Sequence, residues 1–220
     1  YIGAAVFMVS ILWTIFRTKE YSPEERKQMG ILDQQKQAQK FTIPATLWKL
    51  GIIQFFSWFG LFCMWVYTTT ALREHTYHLP GHDQLNELLK SDPNNINLQN
   101  QHGLSESLGD WVGILFGIYN GVSAIFAMLL PLIASRIGKS RTHALSLLLG
   151  GIGLAITFYM PDKYWMILPM LFIGIAWASI LSMPYSMLAG AIPAERMGIF
   201  MGIFNFFITL PQIISALFAE

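Results

Sequence analysis

Apolar positions along the chain fall into six runs, at residues 1 to 16, 47 to 72, 111 to 134, 143 to 160, 164 to 190 and 197 to 218. Each run after the first is long enough for a helix rising about 1.5 Å per residue to cross a hydrocarbon core of ~30 Å, allowing for some tilt. The pattern predicts an all-α integral membrane protein with one partial and five complete spans. Residues 1 to 16 stop at Arg17, with no initiator Met and no charged leader, so they read as the end of a transmembrane helix and not as a signal peptide. The last run reaches Glu220, and the sequence reads as a fragment. A polar linker is expected at 17 to 46, and a transmembrane bundle at 47 to 220 with a polar outer loop at about 73 to 109. The loop holds one short amphipathic piece near Leu85 to Leu89.

Polar side chains inside the runs follow helical spacing. In the run 47 to 72, Gln54, Trp58, Leu61, Trp65 and Thr68 fall on one stripe. Trp48, near the run's start, suits the interfacial aromatic belt, whereas Trp58 lies near mid-span. A Trp flanked by an amide and a hydroxyl suits a sugar, whose C–H face packs on a ring while its hydroxyls need donors and acceptors. Ordinary helix packing also uses such a Trp. In the run 197 to 218, Asn205, Thr209 and Gln212 form a polar face, expected to look onto another helix or a water-filled cavity because unsatisfied amides are costly against lipid. Gly198 and Gly202 have the four-residue spacing that lets two helix backbones approach closely. Pro211 removes a backbone donor and is expected to loosen that helix, and Pro184 is a kink candidate in the run before it. Tyr119, Asn120 and Ser123 make a further polar patch that serves either helix association or a pocket.

Composition agrees with the pattern: 54% of residues are hydrophobic and 12% charged, and mean hydropathy is +0.46. A net charge of +1 says little about partners, since in a membrane protein the placement of charge along the chain matters more. If the 17 to 46 linker is cytoplasmic, that side holds eleven basic residues and the outer side keeps three, Arg73, Lys90 and Lys163. This asymmetry predicts a cytoplasmic linker in a multi-pass protein of the cell membrane. The single cysteine, Cys63, lies within an apolar run and offers neither an internal disulfide nor a cysteine metal site.

The turn Ser135-Arg136-Ile137-Gly138-Lys139-Ser140-Arg141 joins two spans on the same side as the linker. A basic turn there follows from positive-inside bias alone. Arg136, Gly138 and Lys139 also resemble the cytoplasmic gate motif between the second and third helices of each half of a major facilitator superfamily transporter. Ser135 stands where that pattern usually has an acidic residue. On this resemblance the partial span looks like helix 6, the linker like the central cytoplasmic loop and the complete spans like helices 7 to 11, making most of a C-terminal six-helix bundle. Ser182-Met183-Pro184-Tyr185 and the Gly198, Gly202, Asn205, Ile208, Pro211, Gln212 series resemble the tenth and eleventh helices of glycoside-pentoside-hexuronide cation symporters and plant-type sucrose-proton symporters. The resemblance implies cation-coupled movement of a sugar or glycoside by alternating access. The residues then expected to line the substrate site are Gln54, Trp58, Trp65, Asn120, Asn205 and Gln212, with Gly198, Gly202, Pro184 and Pro211 serving helix packing.

No Asp, Glu, Lys, Arg or His lies deep within the complete spans, and Asp110, Lys49, His143 and Arg196 all sit at ends. Coupling a cation usually needs an intramembrane carboxylate or a polar cage. The coupling proton or sodium ion is therefore expected to bind mainly in an N-terminal half outside this sequence, and no other cofactor is expected. His75, His78, His82 and His102 have spacings that could gather a metal, but a polar, Asn-rich, Pro-broken setting favours a solvated loop. Nothing in the sequence matches a phosphate loop, a dinucleotide fingerprint or a nucleophile with its base, and nothing points to nucleic acid. Expected partners are the lipid bilayer and a small-molecule sugar or glycoside, and oligomeric state is not readable. The competing readings are a transporter of the same fold with a non-sugar cargo, a non-transporting membrane sensor or receptor, and, third, a membrane enzyme, disfavoured by the lack of buried ionisable groups.

Overall fold

A computed structural model of the chain describes residues 2–17, 23–28, 43–193 and 196–217. Its contacts divide into two units, Tyr1–Thr42 with Ala194–Arg196, and Ile43–Pro193 with Met197–Glu220. In the first unit, α1 is the apolar helix Ile2–Arg17 and α2 is the short polar helix Pro23–Gln28. The Gln-rich remainder of the expected linker, 29 to 42, lies outside the described residues.

The second unit is a helical bundle. Helix α3 (Ala45–Thr70) starts after Pro44, whose fixed φ suits a helix entrance, and runs directly into a π-helical turn, Ala71–Thr76. Then follow α4 (His82–Ser91), α5 (Ile96–Ile137), α6 (Lys139–Thr157), α7 (Ile167–Ala189) and α8 (Met197–Leu217). Helix α7 is the packing centre, lying most extensively along α6 and α5 and also touching α3, while α8 lies along α3. The main core joins Leu61 and Met64 of α3, Leu108 to Tyr119 of α5, and Met170, Ile173, Ala176 and Ile180 of α7. A second cluster joins Leu47 and Leu50 of α3, Leu188 of α7, and Phe200 and Phe204 of α8.

Small residues set the closest helix approaches. A Cβ at Gly174 of α7 would lie 2.6 Å from the carbonyl oxygen of Tyr119 on α5, so only glycine lets these backbones meet there. Gly150 faces the Cβ of Ala176 directly, and a Cβ at Gly153 would lie 2.9 Å from the Pro169 carbonyl oxygen, so α6 and α7 dovetail along two glycines. Gly198 and Gly202 are exposed, and a Cβ at either would meet nothing within 4 Å. The close approaches among the described residues thus use glycines other than the expected pair. Pro184 and Pro211 are both buried within helices that continue past them to Ala189 and Leu217. Ser215 Oγ donates back to the Pro211 carbonyl oxygen at 2.8 Å, the i to i−4 bond that buries a hydroxyl within its own helix.

Among the described residues, four helices are long and apolar enough to cross a membrane: Ala45–Thr76, Ile96–Ile137, Ile167–Ala189 and Met197–Leu217. The fifth expected span, 143 to 160, is found as α6 with 19 residues. It opens on Lys139, Ser140, Arg141, Thr142 and His143, and this polar opening lowers its mean hydropathy. Thr142, His143 and Ser146 are nonetheless buried.

The expected solvated loop at 73 to 109 is largely helical. At 42 residues, α5 is about 63 Å long at ~1.5 Å per residue, twice a hydrocarbon core, so its polar N-terminal part projects beyond the membrane. Asn95 caps it, the side-chain oxygen accepting from the backbone N–H of Asn97 at 3.1 Å and of Leu98 at 3.3 Å. Leu85 of α4 is fully buried where that helix packs on α5. Arg73, in the π-helical turn, joins the pieces: its Nε donates to Ser105 Oγ at 2.6 Å and its Nη2 meets His82 Nδ1 at 2.5 Å. The other two histidines with described partners are dispersed. His75 stacks on Phe158 with ring centroids 4.1 Å apart, and His102 Nδ1 lies 3.9 Å from Glu106.

Candidate functional site

The polar stripe of α3 faces inward, as its period requires: Gln54, Leu61 and Thr68 are buried, and Trp58 and Trp65 are half-buried between them. Gln54 Nε2 donates to the carbonyl oxygen of Ile180 on α7 at 3.3 Å. Its Oε1 is buried without a hydrogen-bond partner. One turn along, Trp58 stands edge-on to Trp177 of α7 with ring centroids 5.3 Å apart and to Trp65 at 6.2 Å. Trp65 and Trp177 close the figure at 5.4 Å and 87°. Edge-to-face contacts are the arrangement that aromatic quadrupoles favour, so three indoles drawn from two helices hold one another in place.

The polar handles of this cluster differ. Trp65 Nε1 donates to Tyr119 Oη on α5 at 2.9 Å, which fixes the ring. Trp58 Nε1 is buried with no partner. An indole donor and an amide acceptor, side by side at i and i+4, are therefore left unmatched, and a buried unmatched group costs ~1–3 kcal/mol. A hydroxyl can accept from the first and donate to the second. The cluster thus combines apolar ring faces with the two polar atoms that a hydroxyl-bearing ligand or water would satisfy.

The remaining expected site residues lie elsewhere. Asn120 is exposed and its Nδ2 donates to the Phe116 carbonyl oxygen of its own helix at 2.8 Å. Its neighbours Tyr119 and Ser123 are the ones that face the core. Asn205 is exposed, with Oδ1 accepting from Tyr185 Oη of α7 at 2.9 Å, and Gln212 is half-buried. The buried positions of α8 are Phe200, Phe204, Pro211 and Ser215, so the Asn205 side lies at the edge of this packing, where its one described contact to another helix is the bond from Tyr185. Trp177 and Tyr119 complete the cluster, and Trp177 was open to the same reasoning that singled out Trp58, since it too lies far from either end of its run.

The basic turn between α5 and α6 is built on one glycine. Gly138 has φ 87° and ψ 150°, a backbone conformation essentially confined to glycine, and it reverses the chain between two helices. Lys139 Nζ then reaches across to α7 and donates to the Ser186 carbonyl oxygen at 3.3 Å, at the C-terminal end of that helix where cations are favoured. Ser140 Oγ donates to Met187 Sδ at 3.4 Å beside it. Arg136 is exposed. At the opposite end of α7, Trp111 Nε1 donates to the Lys163 carbonyl oxygen at 2.6 Å, and the Lys163 ammonium lies 5.4 Å from the centre of the Tyr164 ring.

The sequence model of one protein family, described as Major Facilitator Superfamily, matches residues 1–216. No curated protein and no solved structure matches the chain.

Proposed function

The chain belongs to the major facilitator superfamily of membrane transporters, and from that premise we propose that it carries a sugar or glycoside by proton or sodium symport with alternating access. The observation that carries the choice of cargo is the triangle of Trp58, Trp65 and Trp177 with Trp58 Nε1 and Gln54 Oε1 left without partners. Ring faces suit the C–H surface of a pyranose, and the two polar atoms suit one of its hydroxyls. On this reading α3, α5 and α7 contribute the pocket wall, consistent with transporter sites formed between helices near the midplane. Asn120, Asn205 and Gln212 lie on α5 and α8 outside the cluster and serve a wider vestibule. Gly198 and Gly202 remain packing positions for a helix beyond the described residues.

In the same proposal, the described helices take the places of helix 6 and helices 7 to 11. The 17 to 46 linker and the Arg136–Gly138–Lys139 turn face the cytoplasm, and the membrane is that of the cell surface. The Lys139 bond to Ser186 supports a role for that turn in holding α6 to α7 on the inner side.

The test is uptake of labelled disaccharides into vesicles holding the full-length transporter, with and without an imposed proton or sodium gradient. Accumulation driven by one gradient supports the reading and identifies the cation. A folded protein that neither accumulates nor exchanges any sugar overturns the sugar assignment and points to another cargo or a sensor.

A further inference from the structure

His143 sits four residues after Lys139, at the end of an apolar run, and such a place ordinarily puts an imidazole at the membrane surface. Here it is 3% exposed. Its Nδ1 lies 2.9 Å from Ser179 Oγ of α7, and Ser179 is fully buried. Its Nε2 is buried and has no hydrogen-bond partner. With Nδ1–H donating to Ser179, Nε2 is a bare lone pair inside the bundle.

The groups around it are few. Of the helices packed against α6, α7 carries no Asp, Glu, Lys, Arg or His and offers Tyr185. Helix α5 offers Arg136 in its last turn and α3 offers Lys49 near its start, while Lys139 and Arg141 precede the imidazole on α6 itself. Among the described residues of the second unit, no carboxylate stands at this end of the bundle. A tightly dovetailed pair of helices therefore encloses an imidazole with one partner and one open nitrogen.

One turn of α7 also joins this site to the tryptophan cluster. Trp177 packs on Trp58 and Trp65, the Ile180 carbonyl oxygen takes the Gln54 amide, and Ser179 between them takes His143. The geometry points to His143 as a proton-binding site in this bundle, linked through residues 177 to 180 of α7 to the tryptophan cluster. The inference rests on the proton-symport form of the reading above and adds to it a site in this half.

The chemistry is a single proton transfer: the Nε2 lone pair takes a proton from water admitted on one side of the membrane and returns it to water on the other. While it is bound, both nitrogens are donors, and the second needs an acceptor that the described packing does not offer. The proton leaves the Nδ1–H bond to Ser179 in place and disfavours the observed closed packing around Nε2. A proton shifts the conformational equilibrium only through such a difference between states.

The experiment uses the full-length transporter in vesicles and reads a ratio, sugar accumulation under a pH gradient divided by sugar exchange without one. His143→Asn keeps a side-chain group able to bond Ser179 but cannot take the proton, and its ratio is expected to fall at least tenfold. Ser146→Ala, a buried change on the same helix, is expected to keep the wild-type ratio. A His143→Asn ratio equal to wild type overturns the inference and leaves the sugar reading standing. Wild-type protein that exchanges sugar but ignores the pH gradient also overturns it, whereas no exchange at all removes the sugar reading and this inference together. If His143→Asn does not insert, Ser179→Ala decides, because the midpoint of the pH profile of accumulation moves if His143 binds the proton and stays fixed if it does not.

Discussion

The indole of Trp65 and the phenol of Tyr119, 54 positions apart in the chain, meet in a 2.9 Å hydrogen bond that ties α3 to α5. The bond turns a half-buried Trp into a fixed wall of the cluster, because the ring's one donor is committed to the neighbouring helix. Removing the phenolic oxygen leaves that donor without its partner.

Tyr119→Phe is accordingly expected to lower stability by ~1–3 kcal/mol, the usual cost of a buried unmatched group. Thermal melting of the purified protein in detergent measures it. An unchanged melting temperature would show that the Trp65 donor is satisfied in some other way.

Trp58→Ala removes the ring that touches both other indoles and carries the unpartnered donor. A ring contact contributes ~0.5–1.5 kcal/mol beyond its buried area, so sugar affinity is expected to weaken by about twofold to thirteenfold. Trp165→Ala, at an exposed indole beyond the cluster, is the control and is expected to bind as wild type. Equal affinities in the two variants, measured by equilibrium binding, would remove Trp58 from the site.

Gly174→Ala places a methyl group 2.6 Å from the Tyr119 carbonyl oxygen and 2.8 Å from Val122 Cβ, where backbone and not a flexible side chain must yield. Overpacking of this kind costs ~1–3 kcal/mol and is expected to push α7 from α5. Gly117→Ala, on the open side of α5 with nothing within 4 Å, is expected to be neutral within this bundle. The pair of melting temperatures separates close helix approach from a general intolerance of bulk.

Gly138→Ala tests the turn between α5 and α6. A non-glycine residue at φ 87° and ψ 150° is strained by ~1–3 kcal/mol, whatever space surrounds it. The expected result is a lower melting temperature together with loss of the Lys139 contact to Ser186. Greater modification of Lys139 by an amine-reactive probe reports the second effect.

Several features of this chain are set by local periodicity and therefore appear in the sequence alone. An apolar run of sufficient length must be helical in a bilayer, because only a helix satisfies its own backbone there, and that argument locates the apolar part of each membrane helix but not the polar extension of α5. The stripe from Gln54 to Thr68 belongs to the same class, since side chains at three- and four-residue spacing share a face in any helix. Glycine at 138 is likewise readable as a turn between two helices.

Features that depend on which helix lies opposite were settled only by the tertiary structure. Residues 96 to 110 are polar and resemble a loop by hydropathy, yet they continue α5, because a helix beyond the membrane surface has no need of apolar side chains all round. Gly198 and Gly202 have the spacing of a packing motif, but a glycine packs closely only where a neighbouring backbone arrives, and in this bundle the arrivals are at Gly150, Gly153 and Gly174. His143 shows the same limit. Its position at the end of a run says surface, while its burial comes from Ser179, 36 residues away on a helix with no charged partner to offer. Spacing along one helix determines which residues share a face, and only the packing of helices determines what that face meets.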